Sequence, residues 1–181
     1  ENTEIRRVKR TVEYNSPFSH DMEKKNEILP VSLVTAEEMR AYDTYTIQNI
    51  GIHTEVLMER AALALADECM LLLKDAHKKP REAKVLCVCG TGNNGGDGLA
   101  CARLLLDRGV ETKVLLVGKK EKLSEAAAYE YRILQAYGVP VVSFGEDGFP
   151  AEEYSVIVDA LFGTGLSRKI TGDYKQVIEI T

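Results

Sequence analysis

Apolar residues follow two different rhythms along the chain. Between residues 35 and 80 they recur at helical intervals, with Met39, Tyr42, Thr46 and Ile50 on one face and a longer apolar stretch from Val56 to Leu73. Thr35-Ala-Glu-Glu38 is a capping box that opens the first helix, which runs to about Ile50 and stops at Gly51. A cap at Thr54 opens the second helix, and His77-Lys-Lys-Pro80 closes it with positive charge at the negative end of its dipole. Ala61, Ala62, Ala64 and Ala66 are small enough to let that helix lie close against a sheet.

From Lys84 the rhythm changes. Val85–Cys89 is a continuous apolar run, as a strand buried on both faces should be. A glycine-rich turn follows, then a helix over Gly98–Leu106, a strand over Thr112–Val117 and a helix from about Ser124 to Tyr137. Val139–Phe144 reads as a third strand, Ser155–Val158 as a fourth and Tyr174–Thr181 as a further helix. Short connections and alternating helices predict an α/β fold with a largely parallel sheet and right-handed crossovers. Residues 1–29 break both rhythms: a basic cluster (Arg6, Arg7, Lys9, Arg10) precedes a polar stretch, which reads as a flexible tail or linker before a domain over 30–181. Pro30–Val34 reads as a short extended segment.

Composition narrows the function classes. A 181-residue chain with 45% hydrophobic residues has material for one domain with a core. Its net charge of -5 argues against a nucleic-acid partner. No apolar stretch approaches the ~20 residues of a membrane helix, and no signal-peptide core follows the first charged residues. Cys69, Cys87, Cys89 and Cys101 sit in apolar segments without disulfide-like spacing, which predicts reduced, buried thiols in a cytoplasmic protein. Cys87 and Cys89 share a strand face, but no neighbouring His or Cys completes a tetrahedral metal set, so core packing is the better account.

The chemistry gathers at two strand ends. Gly90-Thr-Gly-Asn-Asn-Gly-Gly-Asp-Gly98 lies between a strand and a helix, where backbone N–H groups and the helix dipole suit an anion. Asp159-Ala-Leu-Phe-Gly-Thr-Gly-Leu-Ser167 follows the fourth strand, with Arg168 and Lys169 close behind. Ligands of parallel sheets bind beyond the carboxyl ends of the strands, so the two turns are expected to meet. A half-buried carboxylate at Asp159 suits acid or base work, and equally a helix cap or structural hydrogen bond. Asp97 reads first as a cap, and Arg168 and Lys169 as solvated charges. Gly90-Thr-Gly-Asn-Asn-Gly95 also satisfies the G-x-G-x-x-G dinucleotide fingerprint. The acid that this fingerprint wants after the second strand is missing, since that strand ends Leu116-Val-Gly-Lys-Lys120. An NADP-binding oxidoreductase, its 2′-phosphate met by Lys119 and Lys120, stays open as an alternative.

These motifs resemble the YjeF N-terminal domain family, the NAD(P)H-hydrate epimerases. The resemblance runs from about Leu33 to Thr181 through Thr35-Ala-Glu-Glu-Met39, Asp43, Thr46-Ile47, Gly51-Ile52, Leu57-Met-Glu59, Asn93-Asn-Gly-Gly-Asp-Gly98 and Val158-Asp-Ala-Leu-Phe-Gly-Thr-Gly165. Glu59-Arg-Ala-Ala62 departs from it, where Asn-Ala-Gly is expected after the Glu. The resemblance implies a three-layer α/β/α sandwich around a Rossmann-like sheet, and interconversion of the R and S forms of hydrated NADH and NADPH (NADHX and NADPHX) at nicotinamide C6. It implies substrate binding by Asn93, Asn94, Gly95, Gly96 and Asp97, and by Gly163, Thr164, Gly165, Leu166, Ser167, Arg168 and Lys169. Asp159 is then the acid/base, and Asn94 and Asp159 contribute to a potassium site. The resemblance further implies a homodimer and a fused or associated ADP-dependent dehydratase domain. It also places another strand, with an Asp-x-Pro-Ser-Gly motif, after the point where Thr181 stands, so residues 1–181 alone are expected to have weak or no activity. A non-catalytic scaffold of the same fold is a third class, for which erosion of Asn93, Asn94 or Asp159 is expected; all three are intact.

Overall fold

Four strands among the described residues form one parallel sheet, and the most completely buried of them lies inside it. β1 (Lys84–Cys89) is buried along nearly its whole length and takes a central place in a sheet of order β3-β2-β1-β4. Its neighbours β2 (Glu111–Leu116) and β4 (Val156–Ala160) both pair with it in parallel, Cys87 standing opposite Val114 on one side and Val158 on the other. β3 (Val141–Ser143) pairs in parallel with β2 at the edge. The computed structural model describes residues 34–167 and 169–181. The tail over 1–29, the extended segment over 30–34 apart from Val34, and Arg168 lie outside the described residues.

Helices cover both faces, giving the three-layer α/β/α arrangement. On one face α2 (Thr54–Asp75), α3 (Asn93–Asp107) and α4 (Glu125–Ala136) close a core that includes Leu73, Leu99, Leu105 and Leu134 over Val85, Cys87 and Val114. On the other, α6 (Asp173–Ile180) sets Val177 against Leu86, Val88, Leu115 and Val117. α1 (Ala36–Tyr45) is different: it buries no residue. It runs on through a π-helical turn, Thr46–Ile50, to Gly51 at φ +83°, a left-handed position where glycine is favoured.

The local chemistry explains most boundaries. Thr35 accepts from Glu38 N–H while its own N–H donates to Glu38, the reciprocal cap anticipated for α1. Ser124 caps α4 through Ala127 N–H.

Several boundaries differ from the expectation. Thr54 is the first residue of α2 rather than its cap; His53 holds the cap position and makes no side-chain bond. Ala62 and Ala66 are buried, but Ala61 and Ala64 point to solvent, and α2 rests chiefly on α3. The face bearing Met39, Tyr42 and Ile50 is largely exposed. α3 begins at Asn93 instead of Gly98, so most of the glycine-rich turn is the first turn of the helix itself. β3 is three residues long, and Phe144–Asp147 forms a short helix, α5.

β1 is flanked by β2 on one side and β4 on the other, while the chain reaches them in opposite directions. That reversal opens a crevice between the carboxyl ends of β1 and β4, the position where open parallel sheets take ligands.

Candidate functional site

Two backbone approaches build the floor of the crevice. Gly90 N–H donates to Ala160 O at 3.0 Å, and a Cβ on Gly90 would stand 2.2 Å from Leu161 O. A Cβ on Gly95 would stand 1.9 Å from Gly90 O. The end of β1, the start of α3 and the residues after β4 are therefore in direct main-chain contact. Only residues without side chains permit this.

The two turns meet, as expected, around a cleft of about 810 Å³. Its first wall is Thr91, Gly92, Asn93, Asn94 and Asp97; its second runs from Leu161 to Ser167. Gly163 lies against the first wall, with room for only a strained Cβ, 3.3 Å from Asn94 Cβ. Gly92 holds the cap position of α3 with no side-chain cap bond. The N–H groups of the first helical turn have no helical partners, and with the dipole they suit an anion.

The acid that α3 brings to this cleft is Asp97. Burial, with Asp43 and Glu130 as like charges nearby, pushes its carboxyl up to about 6. Behind it Glu130 on α4 is buried, and Arg103 of α3 stands 3.8 Å from it while making its closer bond to Glu59. Burial raises the Glu130 carboxyl despite that guanidinium.

Asp159 is placed differently from the expectation of a half-buried group at a strand's end. It lies within β4, opposite Val88, and is exposed. Its Oδ1 accepts from Leu161 N–H at 3.0 Å, the local structural bond that sequence left open as its other role. Parallel pairing puts it on the α6 side of an edge strand, so it does not line the cleft, although its neighbour Leu161 does. Gly95 and Gly96 are buried beneath the wall. Lys169 is exposed and borders a separate hollow beside α6.

Sequence reasoning missed the third wall. Met39, Arg40 and Asp43 of α1 line the cleft, and Arg40 Nη1 donates to Thr164 O at 2.9 Å. Tyr174 of α6 closes the far end: its ring lies 5.0 Å from that of Phe162 and its hydroxyl 3.5 Å from Thr91 Oγ1. The spacing of Arg40 and Asp43 on an amphipathic helix was visible, but nothing in it pointed toward the glycine turn.

The family described as YjeF-related protein N-terminus matches residues 54–181. The chain belongs to that family. Relatives in it include the NAD(P)H-hydrate epimerase of Oenococcus oeni, 42% identical over 146 residues that cover 81% of this chain and 66% of that protein. The NAD(P)H-hydrate epimerase of Limosilactobacillus reuteri strain DSM 20016 is 45% identical over 147 residues, covering 81% of this chain and 65% of its own length. The chain thus spans about two thirds of the length of these curated relatives. Among solved structures, the crystal structure of yeast ynu0, YNL200c, superposes with a TM-score of 0.72 at 28% identity, covering 82% of this chain and 64% of that one. The family and this neighbour agree with the three-layer fold, and none of these names favours the oxidoreductase or scaffold alternatives.

Proposed function

We propose that the chain carries an NAD(P)H-hydrate epimerase domain, beginning near residue 30, that interconverts the R and S forms of NADHX and NADPHX at nicotinamide C6. The observation that carries this reading is the main-chain junction of the two turns at the sheet's reversal, in a chain whose relatives are named for that activity. A dinucleotide hydrate has phosphates for the open helix terminus of α3 and hydroxyls for Asn93 and Asn94. Asp97, held partly protonated near neutral pH, can donate a hydrogen bond where an ordinary carboxylate only accepts.

The chemistry requires a proton that goes and returns. A carboxyl proton passes to the C6 hydroxyl, water leaves, and the ring nitrogen's lone pair leaves a C6 iminium cation. Water then adds to either face and returns a proton to the carboxylate, so nothing is consumed. Asp159 is the proposed carrier, a role that requires the nicotinamide ring to reach past Leu161 at the cleft's edge to the carboxylate that Leu161 N–H holds. Asn94, inside the cleft, and Asp159, outside its lining, each carry a hard oxygen donor of the kind a potassium ion takes; an ion held between them would add positive charge beside the carboxylate. The proton steps rest on the protein's own groups. A homodimer, an ADP-dependent dehydratase as fused or associated partner, and a cytoplasmic setting belong to the same reading. The last is supported by four free, buried cysteines.

The test is to give one pure epimer of NADHX to residues 1–181, and to the same residues continued through the strand that the resemblance places after Thr181, and to follow the other epimer by chiral chromatography. Residues 1–181 alone are expected to convert it weakly or not at all, and the continued chain well above the uncatalysed rate, with Asp159→Asn slower by about 100-fold or more. No conversion by the continued chain overturns the reading; an undiminished Asp159→Asn rate overturns the assignment of the proton carrier.

A further inference from the structure

The second wall of the cleft is exposed at every residue from Gly163 to Ser167 and carries two glycines, so it has little intrinsic reason to hold one shape. It is anchored at its start, where Gly163 lies on Asn94. Beyond that, among the described residues, one side-chain hydrogen bond reaches its backbone: Arg40 Nη1 to Thr164 O. The donor stands on α1, a helix that buries nothing and leads toward α2 through a π-helical turn ending at the left-handed Gly51. An exposed helix that packs poorly yet brings Met39, Arg40 and Asp43 to the same cleft is held there by something other than apolar burial. The cap of α1 keeps it helical, which fixes Arg40 and Asp43 on one side of it.

We infer that Arg40 is a positioning residue, a latch that crosses the cleft from α1 and sets the Gly163–Ser167 wall in the geometry that receives the substrate. A guanidinium suits the task because it keeps its charge at all working pH values and holds further N–H donors in the same plane. Bound substrate and latch order the same five residues. Without the latch, substrate must order them itself, and that cost falls on binding rather than on the chemical step. The inference extends the proposed function, since the substrate it positions is the one proposed above.

Two measurements on the full chain test it. Limited trypsin digestion followed by mass spectrometry reads the rate of cleavage after Lys169, just beyond the wall. Arg40→Ala should be cut there several-fold faster than wild type at an unchanged melting temperature, with Arg40→Lys in between. In the epimerase assay Arg40→Ala should raise KM about tenfold, equivalent to about 1.4 kcal/mol, with kcat nearly unchanged and partial recovery in Arg40→Lys. Equal cleavage rates in all three proteins overturn the latch, as does a loss confined to kcat. Faster cleavage of Arg40→Ala in a chain whose wild type does not epimerise NADHX upholds the latch and removes only the identity of the substrate.

Discussion

Gly95→Ala tests whether the site's floor is built by main chain against main chain. The added methyl would lie 1.9 Å from Gly90 O and 2.6 Å from Gly90 C. A comfortable carbon–oxygen contact is about 3.3 Å or more, so the overlap is more than 1 Å. Alanine has no rotamer with which to escape, and Gly90 cannot retreat freely: its N–H is held by Ala160 O, and Leu161 O lies close on its other side. The helix start must move, or the β1–β4 junction must open. Overpacking of this kind costs about 3 kcal/mol, at the upper end of the usual range because both partners are backbone. Alanine returns up to about 1 kcal/mol through its better helix propensity, leaving a net loss of about 2 kcal/mol. In a chain of this size that corresponds to a melting temperature lower by about 4–8 °C. Thermal unfolding followed by circular dichroism reads it, with Gly92→Ala as the control. A Cβ there meets nothing within 4 Å, and only the modest preference of a cap position for glycine over alanine is lost. A Gly95→Ala protein melting within about 1 °C of wild type would refute the backbone-junction account.

Two further outcomes follow from the charges around the cleft. The Asp97 carboxyl lies higher in the fold than in the unfolded chain, so it favours the fold below about pH 4 and withdraws that support as pH rises through about 6. Asp97→Asn should match wild type in urea unfolding at pH 4 and exceed it by about 1 kcal/mol at pH 7.5, a figure reduced for the residue's partial exposure; equal stability at both pH values counts against the burial argument. Arg103→Met strips the guanidinium from both Glu59 and the buried Glu130, and should cost about 3–5 kcal/mol at pH 7. The loss should shrink toward pH 4.5, where Glu130 takes up a proton instead; a loss that does not vary with pH would place the role of Arg103 in packing alone.

The sheet and its covering helices were legible because burial on both faces leaves continuous apolar runs such as Val85–Cys89, and one-sided burial leaves periodic ones such as those of α4. The meeting of the two turns was legible because both follow the carboxyl ends of parallel strands. The start of α3 was not, because glycine is a poor helix former and Asn93–Gly98 reads as loop by propensity. Tertiary space decides there: Gly96 packs on Met58, Gly98 fits between Ala160 and Cys89, and Gly95 sits on Gly90. None of those neighbours is near in sequence except Gly90 and Cys89. Asp159 shows the opposite error. Its position after an apolar run suggested partial burial, but alternation along β4 turns Val158 and Ala160 inward and leaves Asp159 outward on an edge strand. Arg40 was illegible because its partner is a backbone carbonyl 124 positions away, which no local pattern records.

A net charge of -5 is ill suited to a dinucleotide whose phosphates are themselves negative. The described residues of the cleft reconcile the two. Arg40 carries one positive charge there, and Asp43 and Asp97 carry up to two negative ones. When Asp97 is protonated, these three groups sum to zero instead of minus one, and the open N–H groups of α3 then act unopposed. The same burial that sets Gly95 and Gly96 under the floor desolvates Asp97, the next residue along the helix. Tight main-chain packing at the start of α3 therefore does two things at once: it aims the helix terminus at the cleft, and it weakens the nearest charge that would repel an anion placed there.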